Sequence, residues 1–262
     1  MTGVREVPAV QLRGGVSMPM VGFGTWPLRG RTAREALLSA LRAGYRLIDT
    51  ATMYANEADL GRALADSGVQ RKDVFLTTKL RASEAGRERA TLSSSLRALG
   101  TGYVDLWLVH WPPRGKALLS AWRELLSLRD AGLARAVGVS NYSLPQIDEL
   151  IAATGEAPAV NQIPWSPRRY DARLLRGLRE RGVVVEGYSP LKDTNLADPV
   201  LTGIAAAHGV TPAQVVLRWH LEHQIVVIPK SADPGRIAAN LDLFEFSLDP
   251  AEVARIDSLA AR

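Results

Sequence analysis

From residue 20 onward the chain alternates between two patterns. Short, almost continuously apolar runs are separated by longer segments in which apolar positions return every three or four residues. The runs are VGFGT (21–25), YRLIDTA (45–51), VFLTTKL (74–80), VDLWLVHW (104–111), RAVGVSN (135–141), PAVNQI (158–163), VVVEGYS (183–189) and VVIPKS (226–231). Their Val, Ile and Leu do not alternate with polar residues, which predicts strands buried on both faces, as in a parallel sheet covered by helices. The intervening segments, such as 32–44, 115–132 and 171–182, carry the helical period, and Gly44, Gly68, Gly100, Gly132 and Gly182 stand where helices should stop. Eight strands each followed by a helix predict an α/β fold, a (β/α)8 TIM barrel, as one domain over 1–262. Residues 9–18, with Gly14-Gly15 at a turn, predict an N-terminal β-hairpin. Extra helices are predicted by a doubled pattern in 196–224, broken near Thr211-Pro212, and by 249–259. A doubly wound open sheet is the competing architecture, but no GxGxxG follows the first strand.

Four ionisable residues fall at or just beyond the ends of successive runs: Asp49, Tyr54, Lys79 and His110. The C-terminal ends of parallel strands converge on one mouth, where α/β enzymes carry out chemistry. A carboxylate, a phenol, an ammonium and an imidazole gathered there make a proton-donating device. A free phenol has a pKa near 10, and a neighbouring ammonium lowers it. Lys79 is placed to do this for Tyr54, with Asp49 holding the ammonium and His110 offering a hydrogen bond. At the later strand ends, Ser140, Asn141 and Gln162 supply hydroxyl and amide groups suited to a carboxamide.

Composition narrows the partners. Charged residues are 23% of the chain, hydrophobic ones 47%, and the net charge is +5. The arginines of 173–181 recur at helical spacing and predict a solvated face rather than a nucleic-acid groove, while a modest positive balance suits an anionic cofactor. No 18-residue apolar stretch predicts a membrane span, and MTGVREVPAV has no signal-peptide core, so a cytoplasmic location is expected. With no cysteine, thiolate chemistry and cysteine-ligated metals are excluded. His220 and His223 stand three apart on a helix but have no third ligand nearby, so no metal site is expected.

GFGTW (22–26), DTATMYANE (49–57), TTKL (77–80), LVHWP (108–112), GVSNY (138–142), VNQI (160–163) and IPKS (228–231), followed by Arg236 and Asn240, resemble the aldo-keto reductase superfamily in order and over essentially the whole chain. The likeness is greatest to bacterial members of the 2,5-diketo-gluconate reductase type. The resemblance implies NADPH-dependent reduction of aldehydes or ketones, with Tyr54 as general acid in reduction and base in oxidation. It implies that Ser140, Asn141 and Gln162 fix the nicotinamide carboxamide and that Tyr188 stacks on the ring. Lys230, Ser231 and Arg236 would take the adenosine 2′-phosphate, with Asn240 at the adenine. Gly24, Thr25, Trp26, Asp49, Ser189 and Leu191 would complete the NADP+ contacts. The substrate wall would be Trp26, Tyr54, His110 and Trp111, around a small-molecule carbonyl substrate, in a monomer with no nucleic-acid or membrane partner.

The chain departs from the family's pattern in places. Ala239 replaces a common Glu, Arg81 a frequent Trp, and Pro164-Trp165-Ser166-Pro167 the usual Glu-x-His-Pro. The short PPRGK segment (112–116) and the close of the chain soon after its last helix predict an open, shallow pocket. Two other function classes stay open at this level: a nicotinamide-binding sensor of the same fold, and a barrel hydrolase or isomerase using Asp49 and His110 without a nicotinamide.

Overall fold

A computed structural model describes residues 7–261; the first six residues, read above for targeting, and Arg262 lie outside it. The chain begins with an antiparallel hairpin, β1 (Ala9–Gln11) and β2 (Ser17–Pro19), in register Val10 to Met18. Gly14 and Gly15 turn it with φ of 86° and 77°, a region that favours glycine.

Eight parallel strands follow: β3 (Gly22–Gly24), β4 (Leu47–Asp49), β5 (Phe75–Leu80), β6 (Val104–Val109), β7 (Ala134–Ser140), β8 (Val160–Pro164), β9 (Val184–Tyr188) and β10 (Val226–Val227). Each pairs with the next in sequence, from β3 to β10, and a parallel bridge between Val21 and Val227 joins the first to the last. The Val227 N–H donates to the Met20 carbonyl at 2.9 Å and the Gly24 N–H to that of Pro229 at 3.0 Å, so the barrel closes. A Cβ on Gly24 would stand 2.7 Å from the Ile228 carbonyl oxygen, so only glycine lets the two strands approach this closely. The eighth run, expected to be strand through 231, ends at Val227 because Pro229 has no N–H for the ladder.

The helices lie outside. They are α1 (Gly30–Ala43), α2 (Glu57–Asp66), α3 (Glu88–Leu99), α4 (Ala117–Asp130), α5 (Leu144–Thr154), α6 (Ala172–Glu180), the pair α7 (Pro199–His208) and α8 (Pro212–Glu222), then α9 (Pro234–Ala239) and α10 (Pro250–Asp257). The doubled pattern of 196–224 breaks as predicted. Gly209 ends α7 in the left-handed region, and α8 starts with Thr211 as N-cap, Pro212 at its first turn and Gln214 closing a capping box. Among the described residues no single helix is long and apolar enough to cross a membrane.

Two cores result. One lies between sheet and helices; the other fills the barrel, where hairpin residues Leu12, Val16 and Met18 pack onto Leu47, Phe75, Leu106 and Ala136 at the N-terminal strand ends. The hairpin therefore plugs one mouth and leaves the C-terminal mouth free. At the plugged end Asp105, 1% exposed, accepts from Arg71 at 2.7 Å, Arg135 at 3.0 Å and the Leu76 N–H at 2.9 Å, tying β5, β6 and β7 together. Replacing Asp105 with Ala should cost about 2–4 kcal/mol, because a buried strand N–H and part of two guanidinium groups lose their acceptor. Urea unfolding should show this loss, while the folded fraction keeps an unaltered C-terminal mouth.

Candidate active site

The four predicted residues meet at the free mouth. Asp49 is the last residue of β4 and Lys79 the penultimate residue of β5, while His110 directly follows β6. Tyr54 closes a 3-10 turn, Thr52–Tyr54, that leaves β4. That turn is held from several sides. The Thr52 hydroxyl donates to the Lys79 carbonyl at 3.1 Å, Arg81 donates to the Thr52 carbonyl at 3.1 Å, and Arg29 donates to the Tyr54 carbonyl at 3.0 Å. Asn56, buried behind it, donates to the Leu28 carbonyl at 2.9 Å and accepts from the Thr50 hydroxyl at 2.6 Å, joining the β3 and β4 loops.

Lys79 is fully buried, and its Nζ donates to Asp49 Oδ1 at 2.6 Å, to the Thr50 carbonyl at 2.8 Å and to the Tyr54 hydroxyl at 3.3 Å. The ammonium also stands 4.9 Å from the centre of the Tyr54 ring, which meets His110 edge-on at 5.7 Å and Trp26 at 5.1 Å. Burial pushes the Tyr54 phenol above its ordinary value; Lys79 pulls it down, but only in part. Lys79 acts in the expected direction, but in this pocket desolvation is the larger effect, and the phenol holds its proton at neutral pH. Burial works against the charge on Lys79, yet Asp49 and the polarisable Tyr54 raise its pKa on balance, so it stays an ammonium. Burial, then Lys79 and Arg81, lower His110 to about 3, which keeps its ring neutral.

An open cavity of about 620 Å³ lies over these groups. Gly24, Thr25, Trp26, Asp49, Tyr54 and His110 line one part of it. Trp111, Asn141, Gln162, Tyr188, Ser189, Leu191 and Lys230 line another part, and Met53, Pro190 and Lys192, to which no role was given, also border it. Trp26 and Trp111, 48% and 51% exposed, form its rim. Asn141 and Ser189 hold φ of 64° and 54°, a left-handed conformation costly for residues with a side chain, and both face this cavity.

Other predicted residues do not line the cavity. Lys79 lies beneath it. Ser140, expected to touch a carboxamide, is fully buried behind Asn141; its hydroxyl donates to the Gln162 carbonyl at 2.8 Å and accepts from Asn141 Nδ2 at 2.9 Å. Ser231, Arg236 and Asn240 sit further along the segment that Lys230 begins. The α9 N-terminus, expected to receive a phosphate, is capped by Asp233, which accepts from the Arg236 N–H at 2.8 Å. Pro164-Trp165-Ser166-Pro167 lies beside the mouth. Trp165 and Ser166 turn into the core, and Pro164 and Trp165 border a separate groove of about 530 Å³ that shares Trp111 and Tyr188 with the main cavity.

One buried carboxyl group beside the site escaped the motifs. Glu186, fully buried on β9, accepts from Gln162 Nε2 at 2.8 Å, and the same nitrogen donates to Asp49 Oδ2 at 2.8 Å. Burial first, then Asp49, pushes its carboxyl up to about 8. Its one sequence signal is a carboxylate inside VVVEGYS, an otherwise apolar run. Elsewhere His220, fully buried, approaches the Val216 carbonyl at 2.8 Å, and His223 pairs with Asp257 at 2.8 Å. Among the described residues no group of three His, Asp or Glu is placed to hold a metal.

Comparison with known proteins agrees with this geometry. The model of the Aldo/keto reductase family matches residues 20–261. An aldo-keto reductase of Mycolicibacterium smegmatis is 44% identical over 256 residues, 96% of this chain and 93% of the relative. Morphine 6-dehydrogenase of Pseudomonas putida is 43% identical, over 96% and 91% of the two chains. The crystal structure of an aldo/keto reductase from Brucella melitensis superposes with a TM-score of 0.94 at 40% identity, covering 97% of this chain and 98% of that one. That of a Bombyx mori aldo-keto reductase in complex with NADP gives 0.93 at 33% identity, covering 97% and 93%. With the barrel, its closed end and its polar mouth all in place, this chain belongs to the aldo/keto reductase family and is an oxidoreductase.

Proposed function

We propose that the protein reduces aldehydes and ketones to alcohols with NADPH, Tyr54 giving the proton. The observation that carries this reading is the Tyr54 hydroxyl, held at 3.3 Å by a buried ammonium and opening onto a cavity larger than a small carbonyl compound requires. The residues around that cavity fit the cofactor. Gln162 offers an amide, Tyr188 a half-buried ring face, and Lys230 with the 77% exposed Arg236 side chain a pair of cations for a phosphate. NADPH, when bound, supplies the hydride that goes to the carbonyl carbon. The Bombyx mori relative whose structure contains NADP supports the same choice of cofactor.

The chain's own residues divide the remaining work. Tyr54 donates a hydrogen bond to the carbonyl oxygen and passes its proton as negative charge gathers there. Lys79 stabilises the phenolate left behind, and Asp49 keeps that ammonium charged and in place. His110, neutral, donates a second hydrogen bond that orients the substrate. Trp26 and Trp111 offer two exposed indole faces at the rim, which suits a flat ketone or its secondary alcohol, and a relative that bears the name morphine 6-dehydrogenase points the same way. The likeness to 2,5-diketo-gluconate reductases makes keto sugars the other class to try.

NADPH consumption against aldehydes, diketones, keto sugars and polycyclic ketones tests the proposal; no turnover with any of them would overturn it. Tyr54→Phe should lower turnover by about 10²–10⁴-fold, the usual range for a positioned proton donor, while NADPH binding stays near wild type. Persistent turnover would remove Tyr54 from its role. Arg236→Ala should weaken NADPH about tenfold and leave NADH unchanged, the loss of one charge-assisted contact. Equal affinity of the wild type for both cofactors would sink the phosphate assignment. His110→Gln should lower kcat/KM without moving any inflection of its pH profile, because a histidine held at about 3 does not titrate near neutrality. An inflection near the ordinary histidine value of about 6.5 that vanishes in this variant would contradict the neutral-imidazole role.

A further inference from the structure

Asn141 and Gln162 both present amides at the cavity, and their surroundings commit them differently. Asn141 is spent within the protein: Nδ2 donates to the His110 carbonyl at 3.0 Å and to Ser140 Oγ at 2.9 Å, while Oδ1 accepts from the Tyr188 hydroxyl at 2.9 Å. Gln162 commits only its nitrogen, with one N–H to Asp49 Oδ2 and the other to Glu186 Oε2, each at 2.8 Å. A primary amide has two N–H donors, so both are used. Rotating the amide by half a turn would set its carbonyl oxygen against the Asp49 carboxylate and take the N–H groups from both carboxyl partners. The amide is therefore locked, and Oε1 is the atom left to face the cavity.

Asp49 is explained by Lys79. Glu186 is not: it touches no cation within hydrogen-bond distance, and its Oε1 has no hydrogen-bond partner among the described residues. A fully buried carboxyl group with a single hydrogen-bonded neighbour costs stability, and that neighbour is the Gln162 amide.

We propose that Glu186 is a positioning residue that, with Asp49, clamps the Gln162 amide so that Oε1 meets the cofactor as an acceptor. The site then selects a nicotinamide ring whose 3-substituent donates a hydrogen bond. This rests on the nicotinamide reading of the cavity given above. Ionised, or protonated on Oε1, Glu186 keeps Oε2 as the acceptor that holds the Gln162 N–H.

The test compares binding of NADP+ with that of its 3-acetylpyridine analogue, which keeps a carbonyl at the same ring position but has no N–H. Dissociation constants are measured so that hydride chemistry does not enter. The wild type should prefer NADP+ by about tenfold, the effect of leaving one buried acceptor unpaired. Glu186→Leu and Glu186→Met, which free the amide to turn, should bring the two ligands within about twofold of each other. Glu186→Gln, whose own carbonyl oxygen still accepts from Gln162, should keep the full preference. A general loosening of the site would weaken both ligands together and leave their ratio unchanged. Apolar variants that keep the wild-type ratio overturn the assignment. If those variants do not fold, loss of the preference in a folded Glu186→Gln protein overturns it equally, and retention supports it. A wild-type protein that binds neither ligand overturns the nicotinamide reading itself, an outcome distinct from binding without discrimination.

Discussion

The site depends on one buried ion pair, Lys79 with Asp49, at 2.6 Å and almost without solvent contact. An isolated ammonium at this depth would cost several kcal/mol. It is held because three oxygens surround it, from Asp49, the Thr50 backbone and Tyr54. Those oxygens come from the end of β4 and the turn after it, so the pair fixes how β4 and β5 finish relative to each other. The ladder is built to match: Asp49 stands opposite Thr77, two residues before Lys79. Asp49 then hands its second oxygen to Gln162, across the barrel on β8. One charge pair thereby connects the Tyr54 hydroxyl with the Gln162 amide at the far wall.

The balance at Tyr54 follows from that arrangement. Burial raises the phenol's pKa more than the ammonium lowers it. In the proposed reaction this is a loaded state: the proton is present at neutral pH, and Lys79 would reduce the cost of losing it to a developing alkoxide. A phenol already ionised in the resting protein would have nothing to donate. A phenol without the ammonium would yield a buried anion with no counter-charge. The neutral His110 fits the same balance, since an imidazolium would be a second cation beside Lys79.

Much of this was legible in the chain because barrels turn sequence order into spatial order. Eight apolar runs in a row, each at one end of a strand–helix unit, place their terminal residues at one mouth whatever lies between. Asp49, Lys79 and His110 could thus be placed together from their positions alone, and Thr211-Pro212 announced its helix start through capping chemistry. Glu186 was not legible. A carboxylate in an apolar run reads as a strand residue until the partner on β8 is known, and that contact spans 24 residues. The Asp-Pro pair at 233–234 signals a helix start, and Asp233 caps it by accepting from the Arg236 N–H. How Pro164–Pro167 sits was not legible either, because whether a residue after a strand end points up to the mouth or down into the core depends on what it packs against. Trp165 found Tyr170 and the base of Gly187.

The two ends of the barrel are built under different constraints, and this accounts for where strain is tolerated. At the closed end the hairpin supplies apolar side chains and Asp105 satisfies a strand N–H and two guanidinium groups. At the open end Asn141 and Ser189 adopt left-handed backbone, Trp26 and Trp111 expose about half their surface, and Glu186 keeps a carboxyl oxygen without a partner among the described residues. Each of these costs stability if considered alone. They persist because the strands beneath are fixed from the other end, so relaxing one would mean moving a strand that the core holds. Asn141 shows the return on that cost. Its left-handed backbone sets an amide where it bridges the His110 carbonyl, Ser140 and the Tyr188 hydroxyl, joining β6, β7 and β9 at the mouth. A ring stacked on Tyr188 would thereby be tied to the strand that carries His110, and the distance between cofactor and proton donor would be set by packed strands rather than by mobile loops.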